Sequence, residues 1–253
     1  YKTAYDEGEE DWQGGMWGSF SLPDTEITDA NIEAASDADT AVYVIARNSG
    51  EGADRKNEKG DYQLTDIEYA NLQKLGANFE NVVVVLNVGG IVDTKFFHEI
   101  VGLDSLLLMS QAGMEGGNAL ADVISGKVTP SGKLTDTWAV DYEDYPSSDT
   151  FSSNDGNTDT ETYTDDIYVG YRYFDSFGVE PAYEFGFGLS YTTFDTEINY
   201  VQADEQTVTV NATITNTGDT YSGKEVLEVY FSAPGGKVEK PYQELAGYAK
   251  TDE

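Results

Sequence analysis

The 253-residue chain carries 47 acidic side chains against 14 basic ones, a formal net charge of −33. This argues against nucleic acid and anionic membranes as partners, since both are polyanions. It also has 18 tyrosines and 11 phenylalanines in a composition that is 39% hydrophobic, which separates it from acidic disordered proteins, whose few aromatics cannot build a core. With no cysteine, disulfides and thiolate metal sites are excluded. His98 is the single histidine, so a multi-histidine metal site is impossible and a Ser-His-Asp triad has one candidate base. The length allows one large domain or two ordinary ones. No apolar run is long enough to span a bilayer and no signal peptide is visible. The chain opens at Tyr1 rather than methionine, as a processed product or a fragment would. The compartment stays open: a soluble protein, either cytoplasmic or secreted.

Residues 1–23 are acidic and then rich in Gly and Trp, and read as loop. Thr28-Asp-Ala-Asn-Ile-Glu-Ala-Ala35 predicts a short helix capped by Thr28 or Asp29. Ala41-Val-Tyr-Val-Ile-Ala46 predicts a buried strand. Thr65-Asp-Ile-Glu68 fits a capping box and opens a helix to about Ala77. Asn81-Val-Val-Val-Val-Leu86 has the unbroken apolar character of a parallel strand buried on both faces. Asp93 follows a glycine loop at the end of that strand, and Lys95–Ile100, which holds His98, looks helical. Ser105–Met109 is a third strand, Asn118–Ser125 a helix, and Pro130–Trp138 a turn with a fourth strand. Strands alternating with helices predict a parallel sheet covered on both faces.

The pattern changes near Asp141. Residues 141–188 show no helical period. They are rich in Asp, Ser and Asn, then in aromatics, including Tyr168-Val-Gly-Tyr-Arg-Tyr-Phe174 and Tyr183-Glu-Phe-Gly-Phe-Gly188. So many rings would be left wet in a free linker, so the stretch is expected to pack across the domains. The Asp-rich part, 149–166, lacks calcium-loop spacing and reads as a solvated loop. From Thr192 the pattern is β: Gln206–Thr215 alternates with period two, Asn216–Asp219 is a turn, and Lys224–Phe231 is the next strand. Three segments follow: 1–140, an α/β sandwich; 141–190, an aromatic connector; and 191–253, the start of an all-β sandwich. A β-sandwich cut short would expose strand edges and apolar surface, so a second polypeptide is expected to complete it.

The segment that singles itself out is Asn48-Ser-Gly-Glu-Gly-Ala-Asp-Arg55. It leaves the first strand, and open α/β sheets bind ligands outside the carboxyl ends of their strands. Two glycines flank Glu51 and let backbone and side chain approach a ligand closely. Glu51 is thereby a candidate movable acid or base.

Several segments, in order, resemble glycoside hydrolase family 3, the β-glucosidase family. They are Asn48–Arg55 with Lys59-Gly-Asp61, Leu86-Asn-Val-Gly-Gly90, and Ser110-Gln-Ala-Gly-Met-Glu-Gly-Gly117 with Ala119–Asp122. They continue through Gly126–Leu134, Ile167–Asp175, Glu184–Thr192, and Thr215–Asp219 followed by Gly223-Lys-Glu-Val226. The resemblance implies a multidomain enzyme. In it, a (β/α)8-type barrel carries a nucleophilic aspartate, an α/β sandwich contributes the acid/base on a loop, and a fibronectin-III-like domain follows. This chain then corresponds to a parallel-sheet three-layer α/β/α sandwich, incomplete at its N-terminal end, plus a truncated fibronectin-III-like β-sandwich. The barrel motif is not in it, so the implied partner is a polypeptide bearing the barrel, and the chain alone should be inactive.

Retaining glycosidases need two carboxyl groups about 5–5.5 Å apart across the glycosidic bond. By resemblance Glu51 is the one that protonates the leaving oxygen and then activates water. A nearby nucleophilic carboxylate and partial burial would both raise its pKa towards the working pH. Arg55 would serve loop geometry or sugar hydroxyls, with Asp54 or Asp61 as counter-ion. Trp12 and Trp17 could reach the leaving-group side of the cleft as aromatic platforms for sugar faces, or pack on the barrel. Glu115 and Asp93 read as partners of backbone N–H groups. The implied substrate is a β-glucoside or oligosaccharide, with no cofactor and no metal. β-Xylosidase or β-N-acetylhexosaminidase specificity is an open alternative, as is a non-catalytic module that binds carbohydrate or protein.

Overall fold

The computed structural model describes residues 24–47 and 54–252. The chain divides after Gly116 into two compact units.

The first unit runs α1 (Asp29–Ala34), β1 (Thr40–Ala46), α2 (Asp66–Asn78), β2 (Asn81–Asn87), α3 (Lys95–Glu99) and β3 (Ser105–Leu108). Both expected caps form. Thr28 accepts from the Asn31 backbone while the Asn31 side chain accepts from the Thr28 backbone, and Thr65 and Glu68 do the same at α2. The strands make one parallel sheet in the order β1-β2-β3, with Ile45 beside Leu86 and Leu86 beside Leu108. The central strand explains its own composition: Val82, Val84, Val85 and Leu86 are all buried. Edge strand β1 alternates instead. Tyr43 and Ile45 point inward, and Asn71 of α2 donates to the Tyr43 hydroxyl at 3.2 Å. Val42 and Val44, on the opposite face, are each 47% exposed. The cover expected on both faces is thus closer to complete at β2 than at β1.

The second unit contains β4 (Trp138–Ala139), 3-10 turns at Tyr142–Asp144 and Phe151–Ser153, α5 (Tyr171–Phe177), β5 (Pro181–Tyr183), β6 (Phe194–Ala203), β7 (Val208–Asn216), β8 (Val226–Phe231) and β9 (Glu244–Lys250). Helix α4 (Gly116–Ile124) spans the division. The strands pair antiparallel as β4-β5, β6-β7 and β8-β9. Two expectations need correction here. The fourth strand does not extend the parallel sheet; it is two residues long and pairs antiparallel with β5. The aromatic stretch is not without helix: α5 runs between Gly170 at φ 59° and Gly178 at φ 65°. Gly178 makes a left-handed C-terminal stop that a side chain would strain.

The aromatic connector is packed. The Tyr171 ring lies 5.2 Å from that of Phe185 and 5.6 Å from that of Tyr230 on β8. Tyr145 meets Phe174 edge-on at 6.0 Å. Among the described residues no helix is long and apolar enough to cross a membrane.

Candidate active site

The site is built from the carboxyl end of β1. Its last residue, Ala46, is followed by Arg47, whose side chain turns into the protein and is 7% exposed. A guanidinium has five N–H donors in a planar fork, and Arg47 engages all five. Nε donates to the Asp61 carbonyl at 2.8 Å. Nη1 donates to the Ala46 carbonyl at 2.8 Å and to Glu68 Oε1 at 2.7 Å. Nη2 donates to the Gln63 carbonyl at 3.1 Å and to Glu68 Oε2 at 2.7 Å. Glu68 is itself 5% exposed. The pair is therefore a buried bidentate salt bridge, which is costly to desolvate and persists because every remaining donor is satisfied. Glu68 also receives the Thr65 backbone N–H at 2.9 Å, so one carboxylate both caps α2 and neutralises Arg47.

Arg55 approaches from the other side. Its Nε donates to Asp61 Oδ1 and its Nη2 to the Asp61 carbonyl, both at 2.6 Å. Asp61 Oδ2 receives the Lys56 backbone N–H at 2.7 Å. Asp61 is thus the counter-ion of Arg55, while Asp54 lies exposed. The Arg55 guanidinium also lies over Gly90, in the loop after β2: a Cβ there would sit 3.4 Å from Nη1, ordinary contact. The loop after β2 therefore meets this side chain, and the Asp61 carbonyl links it to Arg47 at the end of β1.

The segment 61–63 is the anchor. The Asp61 carbonyl serves Arg47 and Arg55, the Tyr62 carbonyl accepts from the Asp93 backbone at 2.8 Å, and the Gln63 carbonyl serves Arg47 and Gly60. Asp93 Oδ1 in turn accepts from the Lys95 backbone at 2.9 Å as α3 begins. Glu51, Trp12 and Trp17 lie outside the described residues.

Two residues of this arrangement escaped the sequence reading. Arg47 falls between the Ala41–Ala46 strand and the Asn48–Arg55 segment and received no role, and Glu68 read as a cap. The available signal was an arginine directly after an apolar strand, with a helix-capping glutamate on the crossover that follows. His98 sits exposed on α3, its ring 5.7 Å from that of Phe97. A groove of about 330 Å³ lies between the starts of α2 and α3. Four of its five charges pair with one another, Lys59 with Asp66 at 2.5 Å and Lys95 with Asp93 at 3.5 Å, and the fifth, Glu99, accepts from the Tyr69 hydroxyl at 3.3 Å. That leaves it a solvated surface cleft rather than a charged site. Among the described residues no group of three or more acidic or histidine side chains is placed to hold a metal ion.

A parallel sheet with a braced segment at its carboxyl edge is the architecture of a ligand-binding α/β domain. Residues 8–191 match the model of the glycosyl hydrolase family 3 C-terminal domain, and the chain belongs to that family. Beta-glucosidase A of Butyrivibrio fibrisolvens is 41% identical to it, over 94% of this chain and 32% of the relative. The beta-glucosidase of Ruminococcus albus is also 41% identical, over 98% of this chain and 25% of its own length. Beta-glucosidase 3B from Thermotoga neapolitana, solved in complex with glucose, superposes with a TM-score of 0.90 at 42% identity. That match covers 100% of this chain and 36% of the Thermotoga chain. The chain thus spans about a quarter to a third of the length of the curated relatives it matches.

Proposed function

We propose that this chain supplies the general acid/base, Glu51, of a retaining β-D-glucosidase that removes terminal non-reducing β-D-glucosyl residues. The nucleophilic aspartate is contributed by a (β/α)8-type barrel outside this chain. The observation that carries the reading is positional: β1 is a parallel strand, and the segment bearing Glu51 leaves its carboxyl end, where α/β sheets receive ligands. Relatives that are beta-glucosidases, and a solved neighbour holding glucose, support the choice of sugar. Residues 191–253 are read as part of a fibronectin-III-like domain, and Trp12 and Trp17 as aromatic platforms beside the leaving group.

The chemistry has two halves. As the aspartate attacks C1, Glu51 gives its proton to the glycosidic oxygen; the C1–O bond breaks, a C1–carboxylate ester forms and the aglycone leaves as an alcohol. Glu51, now a carboxylate, takes a proton from water as that water attacks C1. The ester is cleaved, glucose leaves in the β configuration, and Glu51 is protonated again.

The test is Glu51→Ala in the assembled enzyme, compared over β-glucosides of different leaving groups. kcat/KM for cellobiose should fall by about 10²–10⁴. For 2,4-dinitrophenyl β-D-glucoside, whose leaving group needs no proton, it should fall far less. A uniform or negligible loss would sink the assignment.

A further inference from the structure

Helices α2 and α3 both start at the edge of the parallel sheet where such sheets receive ligands. Helix α2 ends at Asn78, just before β2 begins at Asn81, so its first residue, Asp66, lies at the opposite edge, with the carboxyl ends of the strands. Helix α3 begins at Lys95, after the loop that leaves β2. The groove of about 330 Å³ between these two starts has the size of a small-molecule site, for which the range is about 300–1,000 Å³.

Leu64 and Phe96, 8% and 4% exposed, give the groove an apolar part. Around them stand two lysines and three carboxylates, close to balance in a chain with 47 acidic groups against 14 basic. All five are engaged, four in ion pairs and Glu99 with the Tyr69 hydroxyl. A charged ligand would therefore find no field to draw it in, and an apolar one would strip water from five charges. The outer pair is easily rerouted: Lys59 and Asp66 are 60% and 84% exposed, and ion pairs that wet hold little energy. The frame beneath is fixed. The Asp93 backbone donates to the Tyr62 carbonyl at 2.8 Å, Asp93 Oδ1 accepts from the Lys95 backbone at 2.9 Å, and Thr65 caps α2. A site so prepared has little ordering left to do when a ligand arrives.

We propose that this groove binds a neutral, polyhydroxylated ligand, a glucosyl unit of an oligosaccharide. A sugar has apolar C–H faces and hydroxyl groups that each donate and accept. The groove answers with the Tyr69 ring, lysine donors, carboxylate acceptors and the Gln63 amide, which does both. The choice of glucose rests on the β-glucosidase reading given above; the class of ligand rests on the groove alone.

The experiment uses the assembled enzyme and thio-linked cellotetraose, whose sulfur bridges resist hydrolysis. Calorimetry measures affinity, hydrogen exchange locates the contact, and thermal unfolding is the control on folding. The ligand should protect peptides covering residues 59–69 and 93–99. Tyr69→Ala should weaken binding by about 10-fold and Gln63→Ala by about 3-fold. Tyr69→Phe, which keeps the ring, and Tyr248→Ala, at an exposed position of the second unit, should change it by less than about 2-fold. Raising salt from about 0.05 M to about 0.5 M should leave affinity unchanged. Absence of binding, protection confined to other peptides, or full affinity in both Tyr69→Ala and Gln63→Ala would overturn the site. A loss of about tenfold with salt would overturn the neutral class. None of these readouts needs catalysis. If Glu51→Ala shows no dependence on the leaving group, the acid/base reading falls and the groove is still judged by binding; if the groove fails while that dependence appears, the acid/base reading stands.

Discussion

The two units solve the problem of cohesion differently. The first has a core: Ile45, Leu72, Val82, Val84, Val85, Leu86, Val88 and Val92 are all at most 1% exposed. The second has only three buried hydrophobic residues among those described, Trp138, Ala139 and Phe174, at 4%, 4% and 2% exposed. It relies instead on ring-to-ring contacts and on hydrogen bonds from tyrosine hydroxyls. Tyr145 accepts the Ala139 N–H at 2.9 Å, Tyr191 donates to the Val123 carbonyl at 2.9 Å, and Tyr171 accepts the Leu245 N–H at 2.7 Å. Hairpin β6-β7 leaves Ile198, Val201 and Val208 more than half exposed. The difference shows where precision can be built. A buried, fully satisfied ion pair such as Arg47–Glu68 needs a close-packed setting to hold it, and the first unit offers one at the carboxyl end of β1.

The largest expected effect is on activity, and it should belong to one unit alone. Glu51→Ala in the assembled enzyme loses about 10²–10⁴ in kcat/KM on poor leaving groups. Glu228→Gln in the second unit, where the carboxylate accepts from the Tyr230 hydroxyl at 2.7 Å, should leave the leaving-group profile unchanged; steady-state kinetics compares them. Next comes stability. Glu68→Ala strands a buried guanidinium and should destabilise the first unit by about 3–5 kcal/mol. Hydrogen exchange would show lost protection in β1 and β2 while β6–β9 keep theirs; equal loss in both would mean that the units unfold as one.

A smaller effect is expected at Tyr145. Tyr145→Phe leaves the Ala139 N–H without its acceptor and should cost about 1–3 kcal/mol in the second unit. The same residue makes that unit alkali-sensitive. Burial pushes its hydroxyl from 10.0 up to about 12, against the opposing bond from Ala139. Above pH 10 the unfolded chain releases a proton that the folded chain retains. The contribution is therefore whole below pH 10 and is lost as pH rises through about 12. Urea titrations from pH 9 to 12 should show a shallower decline for Tyr145→Phe. The smallest effects belong to exposed strand faces in both units: Val44→Thr and Val208→Thr, 47% and 66% exposed, should change unfolding free energy by no more than about 0.5 kcal/mol. A loss of several kcal/mol at either would mean that the face is covered in the assembled protein.

Local chemistry was readable wherever it was self-contained. The capping boxes at Thr28 and Thr65 and the apolar run of β2 are each decided by a few neighbouring residues, and each forms within a residue or two of its expected place. What depended on distant partners was not readable. Trp138 carries no mark that its strand pairs antiparallel with Pro181–Tyr183 instead of joining the parallel sheet. Helix α5 was hidden because Tyr171, Tyr173, Phe174 and Phe177 surround it with rings, which blurs the amphipathic period. Its bounding glycines, Gly170 and Gly178, were the legible sign. At the site, Arg55 stood out through its motif, whereas Arg47 and Glu68 are joined across 21 residues by folding alone.

The acid/base role we propose for Glu51 is tested by azide rescue of Glu51→Ala in the assembled enzyme with 2,4-dinitrophenyl β-D-glucoside. Without Glu51 the glycosyl-enzyme forms but water attacks it slowly, whereas azide needs no base. Turnover should rise with azide, and the product should be β-D-glucosyl azide. An α-glucosyl azide would make Glu51 the nucleophile, and a turnover indifferent to azide would remove it from the chemistry.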